Sequence, residues 1–489
     1  MPNAHGNHYD LAALARQEMI AEGFNPDFPP EVVRQVAALR AHPAQPSADG
    51  AVRDLRGLPW SSIDNDTSRD LDQIEVAERL PNGDIRIRVG IADVDSEVPK
   101  GSPIDVHAAG NCTTVYTGVK NFSMLPDELS TDLTSLLDRA DRLSIVVELA
   151  VAADGSVQDG TAYRAVTQNA AQLAYSSAGP WLEGNGPVPE RIAGAPELQA
   201  QLRLQDEAAQ KMRALRHRLG ALDLDRTETE AVMSDGHVAG IKPRRRNRAS
   251  ELIEDFMIAA NGVVARLLRE SRVSSIRRVV KTPERWDRIV ELAARAGERL
   301  PEEPDSGALN RFLMKRKAED PAHYAYLSLA VVKLMGPGEY VLERPDDAGA
   351  GHFALAVHDY THSTAPNRRF ADLVTQRLVK AVAAKRAVPY ADAELEQIAR
   401  HCTLREDAAR KVERAMHKRI AAVAMRDRIG EVFPAVVTGV ARKGTFVRLV
   451  SPPVEGRLMY GERGLDVGDQ IRVKLLNTDP ERGYIDFGR

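Results

Sequence analysis

The spacing of the hydrophobic residues changes twice along this 489-residue chain, and these changes limit its fold more than any other feature of the sequence. Apolar and polar residues alternate in the first part, as in IRIRVGI at 85–91, which is the pattern of half-buried β-strands. After Gly184 the apolar residues recur with the helical period of about 3.6, most clearly at 252–267. Short β-rich runs separated by Gly- or Pro-containing turns then occupy 433–489. The pattern predicts an α+β fold, a sheet packed with helices, followed by a C-terminal five-stranded OB-type β-barrel.

The first residues form a separate small unit in this prediction. Two helical patterns, Leu11–Ala21 and Pro30–Ala41, are followed by the Pro-, Ala- and Ser-containing stretch HPAQPSADG, which is typical of a linker. We therefore divide the chain into a small helical N-terminal segment with its linker (1–50), an α+β domain (51–428) and the OB-type barrel (429–489).

The charge of the chain is nearly balanced but unevenly distributed. A net charge of −4 argues against general coating of nucleic acid, because non-specific affinity for a polyanion comes mainly from Lys and Arg. Basic residues crowd at Lys242–Arg248, Lys315–Lys317 and Arg405–Arg428, and acidic residues crowd at Asp64–Asp72. Each basic run alone is equally typical of a solvated surface. Together the runs would permit a basic channel that leads to an acidic site.

The cysteine content and hydropathy indicate the compartment. Only two cysteines occur, Cys112 and Cys402, which is too few for a disulfide framework or a thiolate metal site and favours a reducing compartment. The first ten residues lack an apolar signal core, and no apolar run approaches the ~20 residues that span a bilayer. We expect a cytoplasmic protein without a membrane partner.

Four aspartates lie within nine residues, in SSIDNDTSRDLDQIEV, between two short apolar runs. They are Asp64, Asp66, Asp70 and Asp72. Close carboxylates raise one another's pKa unless a cation intervenes, and a hard divalent ion such as Mg²⁺ is suited to oxygen ligands. An exposed acidic turn would show the same run of acids, so the motif alone does not decide between these interpretations.

The surroundings of the acids carry a resemblance to a known family. Val52–Glu75 (VRDLRGLPWSSIDNDTSRDLDQIE) is followed by five blocks that match in the same order. The blocks are GIADVDSEVPKGSPID (Gly90–Asp105), TTVYTGVKNFSMLPDELSTDLTSL (Thr113–Leu136), GALDLD (Gly220–Asp225), RASELIEDFMIAAN (Arg248–Asn261) and GHFALAVHDYTHSTAPNRRFADL (Gly351–Leu373). They resemble the RNB catalytic domain of the RNase II and RNase R exoribonucleases, so residues 51–428 would form that domain and 429–489 its RNA-binding barrel.

The resemblance implies an activity and a metal. It implies a monomeric hydrolase that removes nucleotides from the 3′ end of single-stranded RNA and releases nucleoside 5′-monophosphates. In the family a TIDxxxxxDxDD pattern supplies the metal-binding acids, and Asp64, Asp70 and Asp72 fall on the first three. One or two Mg²⁺ ions, with Mn²⁺ as an alternative, would be bound there and at the fourth position, Gln73.

The resemblance also implies roles for five other residues. Tyr116 would pack against the 3′-terminal nucleotide, and Tyr175 would lie along the RNA path, because an aromatic ring stacks on any base. Arg368 would contact the reacting phosphate with a group that stays charged and can bond two oxygens, and Arg369 would assist it. Glu254 would line the pocket of the terminal nucleotide. Without the resemblance each tyrosine is more typical of a core, and Arg369 is equally typical of a structural ion pair.

The chain departs from the family pattern at several positions. Gln73 replaces the fourth acid, Asp66 is an additional acid, Gly90 replaces the His of HIADV, and the SPIRRY-like run reads APNRRF at 365–370. The 50 residues before the RNB-like part cannot contain the two cold-shock barrels of RNase II, so we expect a more open channel mouth and altered handling of structured RNA.

Two other functions remain open at this point. Loss of the fourth acid at Gln73 would suit an RNA-binding protein that keeps the RNB scaffold without its chemistry, and a carboxylate-bound metal would also serve a magnesium-dependent DNase. Assays with matched RNA and DNA oligomers separate these alternatives.

Overall fold

The structure is a computed structural model that describes residues 9–43, 46–48, 50–224, 228–234, 237–244, 246–347, 349, 351–442 and 444–489. Parts of three predicted segments lie outside the described residues. They are Asp225 of the GALDLD block, part of the 1–50 linker, and Arg245 in the basic run Lys242–Arg248.

Two N-terminal helices form at the residues expected from the sequence, α1 (Leu11–Ala21) and α2 (Pro30–Ala41). The side chain of Asp10 caps α1 by accepting a hydrogen bond from the backbone N–H of Ala13 (2.9 Å). The buried face of α1 packs against the strand that carries Tyr116 and against the last long helix of the α+β domain. The N-terminal segment is therefore packed onto the α+β domain.

The sheet-rich first half has the expected alternation. Its strands are β1 (Arg53–Asp54), β2 (Trp60–Asp64), β3 (Gln73–Arg79), β4 (Ile85–Ala92), β5 (Val115–Tyr116), β6 (Asn121–Phe122), β7 (Asp141–Val151) and β8 (Val157–Ala174). Six of them form one sheet in the order β1-β8-β2-β3-β4-β7, and β7 also pairs with β8. Asn82 and Gly83 form the turn between β3 and β4, where Gly83 has a φ of 88° that favours glycine. The alternating residues of β4 point their apolar side chains into the core.

Helices cover this sheet and fill the second half of the domain. They are α3 (Pro103–Asn111), α4 (Tyr175–Leu182), α5 (Pro196–Arg218), α6 (Arg248–Glu270), α7 (Trp286–Arg295), α8 (Ser306–Glu319), α9 (Pro321–Met335), α10 (Phe370–Ala383) and α11 (Asp392–Met425). The central helix α6 contacts α4, α5, α10 and strands β7 and β8, which explains its long buried apolar face.

The second half also contains strands that the helical pattern does not predict. They form two antiparallel pairs, β9 (Glu228–Ser234) with β10 (His237–Arg244), and β11 (Ser275–Val279) with β12 (Glu339–Glu343). In β11 the charged Arg277 is buried and paired with Glu343 of β12 at 3.0 Å, so the strand lacks an apolar alternation in its sequence.

The last segment is a closed five-stranded barrel, as predicted. Its strands are β13 (Val432–Ala441), β14 (Gly444–Leu449), β15 (Glu455–Tyr460), β16 (Gln470–Asp479) and β17 (Tyr484–Gly488), in the order β13-β14-β15-β17-β16. The end of α11 enters its core through Ala421, Ala422 and Met425. The predicted fold class is confirmed. In the described part of the chain, no helix combines the length and the apolar character that a membrane span requires.

Candidate active site

The acidic residues lie where two antiparallel strands of the central sheet meet. Strand β2 ends at Asp64, and β3 begins directly after Asp72. Leu71, between Asp70 and Asp72, is fully buried, and its N–H donates to the hydroxyl of Ser135 (3.0 Å). The second half of the loop is therefore fixed to the core, which an exposed acidic turn would not be.

Asp72 is the most buried of these acids and has two partners from a distant part of the chain. The backbone N–H of Asn367 donates to its Oδ1 (3.1 Å), and Nε of Arg368 lies 3.4 Å from its Oδ2. Burial raises the pKa of Asp72 to about 7, although Arg368 and the Asn367 N–H act in the opposite direction. The carboxylate is thus incompletely compensated by the protein's own positive charge.

Asp70 and Asp64 continue the acidic surface. Burial, and then the charge of Asp64, raise the pKa of the Asp70 carboxyl. Asp64 is more exposed, and its Oδ1 accepts hydrogen bonds from the Asn65 backbone N–H (2.6 Å) and the Ser68 hydroxyl (2.8 Å). Of the three aspartates predicted as metal ligands, Asp70 therefore interacts electrostatically with both Asp64 and Asp72, and the described hydrogen bonds leave the second oxygen of Asp64 available.

A tight turn before α10 places Arg368 opposite Asp72. The N–H groups of Arg368 and Arg369 both donate to the carbonyl of Ala365 (3.2 and 3.0 Å). The hydroxyl of Thr134 donates to the side-chain oxygen of Asn367 (2.7 Å), which fixes the turn from the other side. The Arg368 side chain remains 44% exposed, so its guanidinium is accessible to a ligand.

Tyr116 lies near Arg368 and the three aspartates. Its segment is attached to the arginine turn because the N–H of Thr114 donates to the carbonyl of Arg368 (3.0 Å). The N–H of Tyr116 donates to Oε1 of Glu413 on α11 (3.1 Å), and the residue is 38% exposed. Burial raises the pKa of its phenol to about 12, and Arg368 and all three aspartates act on it electrostatically. A side chain that is surrounded by protein and still open to solvent is typical of a channel wall.

Arg369 is bound differently from its neighbour. Its Nε and Nη2 donate to the two oxygens of Asp372 at 2.7 Å each, and Asp372 is fully buried. Asp372 also accepts the N–H of Ala365 (2.8 Å). This arrangement closes the turn at both ends and commits the Arg369 guanidinium to the protein.

Tyr175 and the additional acid Asp66 lie close together in the chain's fold. Tyr175 begins α4, its ring is partly buried against the main core, and its carbonyl accepts a hydrogen bond from the Asn247 side chain (2.8 Å). The hydroxyl of the next residue, Ser176, donates to the exposed Asp66. Asp66 is therefore on the surface and turned towards α4.

Glu254 lies on the first turns of α6 and forms an ion pair with Arg246 at 3.0 Å. Its described contacts do not connect it with the acidic cluster. In the basic runs, Lys315 pairs with Glu298, Lys317 with Asp223 and Arg419 with Glu18. Many of these cations are engaged in local ion pairs, which is the surface role that the sequence left open.

Two departures from the family pattern have a packing consequence. Gln73 is buried at the start of β3 and pairs across the sheet with Ile91. A Cβ on Gly90 would lie 3.1 Å from Cγ1 of Ile74 and 3.5 Å from Trp60. The space of a larger residue at 90 is therefore occupied, and a histidine there would require repacking.

The oxygen donors of the acidic cluster suit a hard cation. Among the residues that the structure describes, no three carboxylate, histidine or cysteine side chains are grouped closely enough to hold a metal ion by themselves. Mg²⁺ commonly takes one or two carboxylates and completes its shell with water and substrate phosphates. The carboxyls of the buried Asp72 and the half-buried Asp70 are incompletely compensated, which fits that kind of binding and does not form a complete cage.

Several residues of the site were not found from the sequence. Asn367 and Asp372 lie inside the matched block around Arg368, so the resemblance could have indicated them. Thr134 contacts Asn367 and also lies inside a matched block, Thr113–Leu136. Glu413 contributes through its contact with the backbone of Tyr116, and no local pattern marks it.

Comparison with known proteins assigns both parts of the chain. Residues 52–385 match the model of the RNB domain, and residues 431–489 match the RNase II-type exonuclease C-terminal S1 domain. Ribonuclease R of Thermotoga maritima is 30% identical, with 94% of this chain and 68% of that protein covered. Ribonuclease R of Escherichia coli K12 is 29% identical, with 94% of this chain and 60% of that protein covered. The chain thus spans about two thirds of the length of these relatives.

Solved structures share the fold at lower identity. The apo form of Mycoplasma genitalium RNase R superposes with a TM-score of 0.87 at 22% identity and covers 99% of this chain and 78% of that one. Yeast Ssd1, described as a pseudonuclease, superposes with a TM-score of 0.71 at 17% identity and covers 97% of this chain and 58% of that one. One fold therefore serves both an exoribonuclease and a protein without nuclease activity.

Proposed function

Because the chain belongs to the RNB family of RNase II-type and RNase R-type exoribonucleases, we propose that it hydrolyses single-stranded RNA from the 3′ end and releases nucleoside 5′-monophosphates. The observation that carries this proposal is the contact of Asp72 with the Asn367 N–H and with the Arg368 side chain. Asn367 lies 295 residues after Asp72 in the sequence. An RNA-binding shell without chemistry would not need a buried acid facing an accessible arginine.

The side chains around Asp72 have different tasks in this proposal. Arg368, held near Asp72 and still exposed, binds the non-bridging oxygens of the scissile phosphate and stabilises the charge that develops on them. Tyr116 stacks on the terminal nucleotide and sets the position of the last phosphodiester. Asp70 and Asp72 would hold Mg²⁺, with Asp64 and the amide oxygen of Gln73 beside them. When bound, such an ion lowers the pKa of a water ligand and neutralises phosphate charge.

The path of the RNA is proposed from exposed aromatic and basic side chains. Tyr460 and Tyr484 are exposed on the C-terminal barrel, where they could stack on bases regardless of sequence. A structure of Mycoplasma genitalium RNase R contains ribose-methylated single-stranded RNA, which supports RNA as the substrate class. The assignments of Tyr175 and Glu254 to this path rest on the family resemblance, and RNA preference would come from contacts with the 2′-hydroxyl. A monomeric state and a cytoplasmic location remain predictions.

The alternative of a catalytically impaired RNA-binding protein is supported by Gln73 and by the pseudonuclease that shares the fold. A 5′-labelled oligoribonucleotide incubated with Mg²⁺ separates the two. The proposed enzyme yields a ladder shortened from the 3′ end, which chelator abolishes and which a matched DNA oligomer does not give. Tight RNA binding without shortening would establish the alternative, and internal cuts would contradict both.

The variant Asp72→Asn tests the site directly, with Asp66→Asn as a matched control in the same loop. Asp72→Asn should lower turnover by about 10³-fold with RNA affinity largely kept, because the removed carboxylate would hold the cation that neutralises charge on the reacting phosphate. Asp66 is exposed and bonded to Ser176, so Asp66→Asn should retain turnover. Equal turnover in the two variants would refute the assignment of Asp72.

A further inference from the structure

The two cysteines of the chain, far apart in the sequence, share one small cavity. Cys112 ends α3, and Cys402 lies in the middle of α11. Both are nearly fully buried, at 4% and 3% exposure, and both are free thiols. They line a cavity of about 100 Å³ together with Tyr340, His362 and Arg369. A cavity of this size has room for a molecule somewhat larger than water, whose share of the liquid is ~30 Å³.

The two thiols line the same cavity, and their surroundings favour the thiolate form of one of them. The hydrogen bond from Cys402, followed by a hydrogen bond from His401, lowers the pKa of the Cys112 thiol despite its burial. The same contact raises the pKa of Cys402 well above its usual range. A thiolate stabilised by a histidine and by a second thiol is the reactive form of a cysteine, whereas isolated buried cysteines are inert. The partly exposed His401 lies at the edge of the pair.

The backbone of Cys112 is attached to the arginine turn of the active site. Its carbonyl accepts the N–H of Phe370 (2.8 Å), and two residues later the N–H of Thr114 donates to the carbonyl of Arg368 (3.0 Å). On the other side, α11 carries both Cys402 and Glu413, which accepts the N–H of Tyr116 (3.1 Å). Any change in the distance between Cys112 and α11 therefore acts on the segment between Arg368 and Tyr116.

We propose that Cys112 and Cys402 form a peroxide-sensitive dithiol switch, in which an intramolecular disulfide lowers RNA cleavage by displacing Tyr116 and Arg368. The cleavage part of this inference rests on the proposed function, and the formation of the disulfide does not. No other cysteine exists in the chain to compete for the pairing.

The chemistry needs only a hydroperoxide such as hydrogen peroxide. The Cys112 thiolate attacks one peroxide oxygen, the O–O bond breaks, and hydroxide leaves and takes up the proton of a Cys402 thiol. The Cys402 sulfur then attacks the sulfenic sulfur of Cys112, the S–S bond forms, and the S–O bond breaks to release a second hydroxide, which solvent protonates. Two thiols and one peroxide give one disulfide and two waters, and the sulfur atoms supply both electrons.

The disulfide acts on the site because it draws together the two elements that line the cavity. An S–S bond is about 2.05 Å long, well below any non-bonded sulfur–sulfur separation, so we expect it to pull Cys112 and α11 towards each other. Cys112 has a left-handed φ of 59°, a conformation that a non-glycine residue adopts at a cost, so its backbone has little freedom to absorb the shift locally. A displacement on the order of 1 Å at a positioning element can lower turnover up to about 10²-fold, and we expect at least a tenfold loss.

The experiment counts thiols and measures cleavage in the same samples. Fully reduced protein is treated with hydrogen peroxide, quenched with catalase, denatured and alkylated, and then analysed by mass spectrometry and on a non-reducing gel. The expected result is loss of both alkylation sites in a monomeric species, at least tenfold slower RNA shortening, and recovery of both with dithiothreitol. Cleavage by the untreated reduced protein tests the proposed function separately from the thiol count.

The single variants Cys112→Ser and Cys402→Ser are the controls. Both should keep the reduced enzyme's turnover, and peroxide should leave Cys112→Ser active, because the nucleophilic sulfur is absent. Two thiols that remain alkylatable after treatment, disulfides between molecules, or an intramolecular disulfide with unchanged cleavage would each overturn the proposal. If a serine variant melts at a lower temperature, the thiol count on the unmodified chain still shows whether the disulfide forms.

Discussion

Arg368 and Arg369 are neighbours in the sequence, and each faces a buried aspartate, but the two pairs are built for different purposes. Arg369 donates two bonds of 2.7 Å to Asp372, and 23% of its side chain is exposed. Arg368 lies 3.4 Å from Asp72, beyond a good hydrogen bond, and 44% of its side chain is exposed. We call these the closed pair (Arg369–Asp372) and the open pair (Arg368–Asp72).

The two pairs show how one turn can combine a rigid backbone with a reactive side chain. In the closed pair each charge satisfies the other, and Asp372 also accepts the N–H of Ala365 at 2.8 Å, so the pair fixes the backbone. In the open pair the acid remains under-compensated, with a pKa of about 7 because of its burial, and the arginine keeps donors free. The closed pair thus fixes the position of the open pair, in which a cation could compensate Asp72 and a phosphate could bind Arg368.

The largest expected effect is the loss of kcat on substitution of Arg368, the arginine of the open pair. Arg368→Lys should lower kcat by about 10³-fold, because an ammonium cannot bond two phosphate oxygens in the geometry of a guanidinium. The free energy of unfolding should change by less than about 1 kcal/mol, because the 3.4 Å contact is weak and the side chain is partly exposed. Single-turnover kinetics and urea unfolding measure the two quantities. A large loss of stability with little loss of kcat would mean that Arg368, like Arg369, is structural.

The reciprocal prediction concerns the acid of the closed pair. Asp372→Asn should lower the free energy of unfolding by about 3 kcal/mol, because it leaves the largely buried Arg369 guanidinium without its countercharge. Turnover per folded molecule should fall less than in Arg368→Lys, and the affinity for RNA should weaken because the turn loosens. Urea unfolding and active-site titration measure these effects, and a stability equal to that of the unmodified protein would contradict the assignment.

The pH dependence of the free energy of unfolding, measured on the metal-free protein, tests whether the Asp72 carboxyl of the open pair is under-compensated. The folded-state pKa of Asp72, about 7, lies above its unfolded value of about 3.9, so folding favours the protonated carboxyl. This contribution is fully present below pH 4 and is lost as the pH rises to about 7. In chelator, the difference in unfolding free energy between the unmodified protein and Asp72→Asn should change by on the order of 2 kcal/mol between pH 4.5 and 8. A constant difference would show that the carboxyl is already compensated.

The parts of the fold that depend on neighbouring residues could be predicted, and the parts that depend on distant partners could not. Helices Leu11–Ala21 and Pro30–Ala41 and the five barrel strands follow from local spacing and turn residues. The pair β11–β12 was missed because Arg277 is charged in the sequence but buried against Glu343 in the fold. A distant ion pair can override the pattern that a local sequence presents.

The same limit applies to the site. The run of aspartates indicates an acidic cluster by itself, but its partner Arg368 could be named only through the family resemblance. The Asn367 N–H that bonds Asp72 is a backbone group, which leaves no trace in a sequence. The proximity of Cys112 and Cys402, which line one cavity, was missed for a similar reason, since two buried thiols far apart in the chain carry no local pattern. Burial also explains why composition could not foresee the raised pKa of Asp72.

The smallest expected effect concerns Gln73, which stands next to the open pair where the family has a fourth acid. Gln73 is buried, so Gln73→Asp adds a charge close to Asp72 and should lower the stability of the metal-free protein by about 1 kcal/mol at pH 8. The added carboxylate should also lower the Mg²⁺ concentration that gives half-maximal cleavage by roughly tenfold, because a charged oxygen binds a hard cation better than an amide oxygen does. Cleavage rates across a Mg²⁺ titration measure this shift, with Asp66→Asn as a nearby substitution that should leave the midpoint unchanged. If Gln73→Asp leaves the midpoint in place as well, the amide does not face the ion, and the open pair acts with fewer ligands than the family pattern implies.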